Sequence, residues 1–144
     1  MLKVALIFLG GGIGSILRYL AGGWVQGSLS KFSGLRAWTL FPAGTMLVNI
    51  LGCLVIGFLA TAFSGHWRTV VPEEYRIGIL TGVLGGFTTF SSFAWEGSSL
   101  ARDNQYLQAA VYVLASVAVG LLAAWAGNRL AVWVFGLPAP VLGN

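Results

Sequence analysis

Residues Gly82 to Phe93 read GVLGGFTTFSSF, inside an apolar run long enough to cross a bilayer. Glycines, hydroxyls and three phenylalanines stand where a plain lipid-spanning helix carries leucines. The pair Gly85-Gly86, followed by Thr88-Thr89, invites the helix to break at membrane depth. Broken backbone in hydrocarbon persists only when it is buried in protein or lines a water-filled path. The segment is therefore the leading pointer to an ion or substrate site. Where a helix stops, its last carbonyls lack partners, and several converging carbonyls suit a hard cation such as sodium. Where it restarts, free N–H groups favour an anion. Phe87, Phe90 and Phe93 recur every three residues, with Thr88, Thr89, Ser91 and Ser92 between them. An aromatic ring has a negative face and a positive edge. Ring edges turned to a dehydrated anion stabilise it without trapping it as a lysine would, and conduction needs that compromise. The same spacing also serves ordinary packing.

Other polar residues lie within apolar runs. Asn49 is costly in hydrocarbon unless partnered, and its NH2 group can donate two hydrogen bonds. It either glues helices together or meets a permeating anion; the glycine-rich break and the Tyr/Ser face elsewhere in the chain favour the anion. Thr45 lies one helical turn from Asn49 on the same face. Tyr112 and Ser116 share one side of a later helix, as plain interhelix donors or as rungs of a polar track. Arg18 either snorkels to an interface or lines a vestibule. Glu96, at the end of the third apolar run, reads as a cap or interface residue, or as a proton-coupling group if it is central.

These residues need helices to position them. The first span is expected over about Val4 to Val25, where Gly10 and Gly14 have the small-xxx-small spacing of closely packed helices. Gly27 to Trp38 reads as a polar connector. The second span is expected over about Leu40 to Phe63, with Pro42 tolerated in its first turn. Ser64 to Tyr75 is a connector whose Glu73 and Glu74 suit the start of the next helix. The third span is expected over about Ile77 to Trp95, a turn over Ala101 to Gln105, and the fourth span from about Tyr106 to Asn128 or beyond. This gives one membrane domain over 1–135 and a loose tail over 136–144.

Composition agrees. The 144 residues are 57% hydrophobic and 8% charged, against roughly 25% charged in an average soluble domain. Mean hydropathy is +0.84. Spans of about 20 residues each nearly exhaust the chain, leaving no room for a water-soluble catalytic domain, and no nucleophile–base pair is visible. The net charge of +4 comes from single basic residues between apolar runs. They read as span anchors rather than a nucleic-acid surface. Cys53 and His66 are the only residues of their types, so neither an intrachain disulfide nor a His/Cys metal site can form in one chain. The apolar start after Lys3 lacks a clear cleavage site and reads as an uncleaved first helix. The glycines of the first span do not follow a dinucleotide fingerprint, since no strand precedes them and Ser15 holds the third glycine position.

With four spans, both termini lie on one side, with Lys3, Arg68, Arg76 and Arg129. The other side carries Arg18, Lys31, Arg36 and Arg102. Orientation normally follows an excess of Lys and Arg on the cytoplasmic side. An even tally implies insertion both ways, hence an antiparallel dimer of dual topology.

Three motifs carry a family resemblance: Gly12-x-Gly14 with Arg18-Tyr19, the run Gly44-Thr45-Met46-Leu47-Val48-Asn49-Ile50-Leu51-Gly52, and the long segment Gly82 to Phe93. In order, across all four spans, the chain resembles the Fluc (CrcB) fluoride channels. The resemblance implies an all-α membrane fold with a broken third helix, in a bacterial inner membrane. It implies passive fluoride export through an antiparallel homodimer with two pores and a central structural sodium ion. By the same resemblance Phe90 and Phe93 contact fluoride, Asn49 is the pore asparagine, and Thr45, Tyr112 and Ser116 lie on or near a polar track. Gly85 and Thr88 of both subunits supply carbonyls to sodium. The competing readings are a small multidrug-type, proton-coupled exporter of dual topology, which would need a carboxylate in the first span, and a non-transporting scaffold.

Overall fold

The computed structural model describes residues 1–32 and 41–137. It is all-helical there, with four helical stretches long and apolar enough to cross a membrane. Helix α1 is Leu2–Phe32 and α2 is Ala43–Ser64. The third span begins as α3, Glu73–Ile77, passes through a π-helical segment, Gly78–Leu84, and a single turn, α4, Gly85–Phe87. It restarts as α5, Phe90–Arg102, and α6, Tyr106–Phe135, forms the fourth span. At about 1.5 Å per residue, the 22 residues of α2 reach about 33 Å, close to the ~30 Å hydrocarbon core.

Local chemistry sets the ends. Pro42 and Pro72 stand immediately before α2 and α3, where a missing N–H costs nothing. Glu73 and Glu74 fill the first turn of α3, favourable to its dipole. Gly136 closes α6 in the left-handed region (φ 59°), and Leu137 N–H returns to the Val132 carbonyl at 3.0 Å, the bond of a Schellman cap. Helix α1 continues to Phe32 through part of the expected polar connector. The rest of that connector, including Arg36, lies outside the described residues, as does 138–144 of the expected tail.

Lipid tails are as apolar as leucine, so spans associate through close packing of small residues. The Gly10/Gly14 expectation holds: Gly14 presses on the Val83 carbonyl of the π-helical segment, and an added Cβ would fall onto backbone. Gly127 of α6 likewise meets the Leu54 carbonyl of α2. The bundle is thus two tightly packed pairs, α2 with α6 and α1 with the first half of the third span. The contacts between α2 and the third span are sparse, and that gap holds the cavities described next.

Candidate functional site

The third helix breaks as expected in this segment, at Thr88 and Thr89 rather than at the glycine pair itself. Gly85 is helical (φ −64°, ψ −36°), whereas Thr88 and Thr89 are extended (ψ 157° and 118°). Gly86 serves packing against the Gly11 backbone. The threonines carry the break because they and Asn49 re-satisfy the backbone it frees. Thr88 donates both its N–H and its hydroxyl to the Leu84 carbonyl, each at 3.0 Å. Asn49 clamps Thr89 from α2: its Oδ1 accepts the Thr89 N–H at 2.8 Å, and its Nδ2 donates to the Thr89 carbonyl at 3.0 Å. The Thr89 hydroxyl then accepts the Ser92 N–H at 3.2 Å, starting α5 as an N-cap. Two amides that a continuous helix would aim at the Gly85 and Thr88 carbonyls, those of Thr89 and Ser92, are thereby diverted.

Beside the break lies a cavity of about 360 Å³. Asn49, Gly85, Thr88, Phe90, Phe93 and Ser116 all line it, and among the described residues no charged side chain does. Phe90 and Phe93 stand 5.7 Å apart between ring centres. Phe90 is 80% exposed in the single chain. The Ser116 hydroxyl oxygen is buried and has no hydrogen-bond partner, a condition that costs about 1–3 kcal/mol unless a ligand or water relieves it. Asn49 spends one N–H on Thr89 and keeps the other.

Arg18 and Thr45 do not share this cavity. They line a second one, of about 610 Å³, with Glu96, and Thr89 lines both. Tyr112 lines neither chamber but touches a residue of each, Phe93 and Glu96. It is fully buried, its ring centre 5.3 Å from that of Phe93, and Phe41 meets it edge-on at 5.7 Å. Its hydroxyl donates to Glu96 Oε2 at 2.7 Å, while the Thr45 hydroxyl donates to Oε1 at 2.8 Å. Glu96 is thus the hub of a three-helix polar cluster, whereas the sequence placed it at a span end. The restart at Phe90 carries α5 on to Arg102, which draws Glu96 inside the span. The signal was present in the two hydroxyls that need acceptors.

A multi-pass membrane protein of four helices, the third broken beside an uncharged, hydroxyl- and ring-lined cavity, is the class that fold and site define. A family profile described as CrcB-like protein, Camphor Resistance (CrcB), matches residues 5–128. A protein of Geobacter metallireducens named "Fluoride-specific ion channel FluC" is 42% identical over 88% of this chain and 94% of its own length. One of the same name from Chloroflexus aurantiacus is 40% identical over 94% and 100%. "Fluoride-specific ion channel FluC 2" of Yersinia pseudotuberculosis is 43% identical over 90% and 97%. The chain belongs to the CrcB family.

Proposed function

We propose that the chain is a fluoride-selective channel of a bacterial inner membrane that lets cytoplasmic fluoride run down its electrochemical gradient. Two oppositely inserted copies form the unit, with two pores. The observation that carries this reading is the cavity lined by Asn49, Phe90, Phe93 and Ser116, where the Ser116 hydroxyl is buried without a hydrogen-bond partner. Fluoride is small and tightly hydrated. A path that admits it must replace water with donors and positive ring edges, yet release it again. The free Asn49 N–H and the Ser116 hydroxyl supply the donors, and the Phe90 and Phe93 edges supply the rest. The exposed Phe90 ring gives a partner copy a wall to complete. Tyr112 and Thr45 extend the path toward the second cavity, where Arg18 gathers anions. Larger halides are excluded only once the partner copy closes these open cavities into a narrow path.

The Gly85 and Thr88 carbonyls, left without the Thr89 and Ser92 amides, support a structural sodium ion held by those carbonyls from both copies. Sodium would supply a fixed positive charge that ties two broken helices together; the chain's own part is to turn the Thr89 and Ser92 amides away. The family membership and the names of the relatives support the anion's identity. The proton-coupled exporter lacks its first-span carboxylate, since α1 has no acidic residue, and Glu96, although inside the span, is tied up by Thr45 and Tyr112. Purified protein in fluoride-loaded liposomes, read with a fluoride electrode after a potassium ionophore is added, tests the reading. Passive fluoride loss with chloride retained is expected; vesicles that hold their fluoride would refute it.

A further inference from the structure

The break and its cavity do not end the path. Thr89 lines both the second cavity and the central one. Leu80 in turn lines both the central cavity and a third, of about 330 Å³. Three chambers therefore follow one another along the gap between α2 and the third span. The third opens where α2 ends and α3 begins, beside Ser64 and Arg76. Arg76, Leu80, Leu84 and Thr88 are spaced four apart, a row that runs from this opening to the break. Twelve residues at about 1.5 Å each make that row about 18 Å long, more than half the ~30 Å hydrocarbon core.

The charge at the opening is set by partners. Glu73 lines the third cavity, but Lys3 holds it in an ion pair at 2.8 Å, the one ion pair among the described residues. Arg76 has no such carboxylate. Its Nη1 donates to the Phe63 carbonyl at 3.1 Å, and its Nε is buried with no partner. A cation is thus pinned at a cavity mouth with no carboxylate in contact, although Glu73 in the same cavity still feels its charge through space. Arg18 stands at the far cavity, so each end of the chain of cavities holds one arginine.

Resting on the fluoride-channel reading, we infer that Arg76 is the anion-collecting residue of a second mouth, on the side of the membrane that holds the termini. Leu80 is the apolar collar between this mouth and the central cavity. A fixed charge in a low-dielectric mouth raises the local concentration of its counter-ion, and salt screens the effect.

The test is initial fluoride efflux from liposomes at ionic strengths of about 0.01 M and about 1 M, where the screening length falls from about 30 Å to about 3 Å. At low salt Arg76→Gln should slow efflux about tenfold, the low end of electrostatic focusing. At high salt it should run within about twofold of wild type, and Arg76→Lys should match wild type at both. Ser64→Lys places a new cation in the same cavity with Arg76 intact. It should raise low-salt efflux, and it should restore the rate of Arg76→Gln in the double variant. A loss equal at both salts, or one shared by Arg76→Lys, assigns Arg76 only to holding the end of α2 and overturns the inference. If Arg76→Gln does not fold, an unchanged low-salt rate in Ser64→Lys overturns it alone. A wild type without fluoride efflux fails the channel reading itself, a separate result.

Discussion

At the residue scale, stability and flux should come apart. The Ser116 hydroxyl has no partner, so Ser116→Ala removes no bond and relieves a buried polar atom. Thermal unfolding in detergent should be unchanged or slightly raised, while fluoride efflux falls severalfold; a loss of melting temperature would show that the hydroxyl holds the fold. Asn49 is the opposite case. Both ends of its amide bind the Thr89 backbone, so Asn49→Ala leaves a buried N–H and a carbonyl unmatched. That should cost about 2–6 kcal/mol, at 1–3 kcal/mol for each group, along with efflux. The sequence raised glue and pore donor as rivals for Asn49, and the structure shows the clamp directly. The clamp was illegible because Thr89 lies forty residues away, beyond any local pattern. Thr45, Tyr112 and Glu96 were each visible as polar residues in apolar runs, yet their convergence on one carboxylate required the fold.

At the element scale, the third span shows what pattern can read and what it misses. The composition of Gly82 to Phe93 pointed to broken backbone, and the helix does break there. The glycines nevertheless stay helical, and at Gly82 and Gly86 the missing side chain lets α1 press close, whereas Gly85 meets nothing. The threonines leave the helix, because their hydroxyls and Asn49 hold the freed backbone groups. Composition marks a segment as breakable; the break falls where partners wait. Thr89→Ala should therefore cost about 1 kcal/mol through loss of the α5 N-cap, read as a lower unfolding midpoint, whereas Thr89→Ser keeps the acceptor and should recover most of it. Gly14→Leu should cost far more. Its side chain has only the Val83 backbone to occupy, so the variant should not purify as a folded species. Pro42 and Pro72 marked the neighbourhood of two span starts, but the expected starts at Leu40 and Ile77 fall instead at Ala43 and Glu73, directly after each proline. Helix α1 outran its expected end because the glycine and serines of Gly27 to Lys31 do not stop a helix once several turns have formed.

At the scale of the whole molecule, the remaining question is which way the chain faces. Lys3 reaches Glu73 at 2.8 Å, so the N terminus and the start of the third span share a side, as the charge tally assumes. That tally is even, with Lys3, Arg68, Arg76 and Arg129 against Arg18, Lys31, Arg36 and Arg102, and Arg36 lies outside the described residues. An even tally leaves insertion poised, so a few added charges should tip it. Val70 is 71% exposed in the connector before the third span, and Val70→Lys with Val71→Lys would load the terminal side. Asp103→Lys with Tyr106→Lys would load the other, on a turn and a helix start whose side chains are exposed. Each double variant, fused to a C-terminal topology reporter, should insert one way only, the two in opposite senses, and wild type both ways. If the working unit is antiparallel, cells making either variant alone should be as fluoride-sensitive as cells with no channel. Cells making both should recover resistance, because each population supplies the orientation the other lacks. Resistance from one biased variant alone would mean that copies facing the same way suffice, and the antiparallel pair would have to be abandoned even if the pore residues behave as expected.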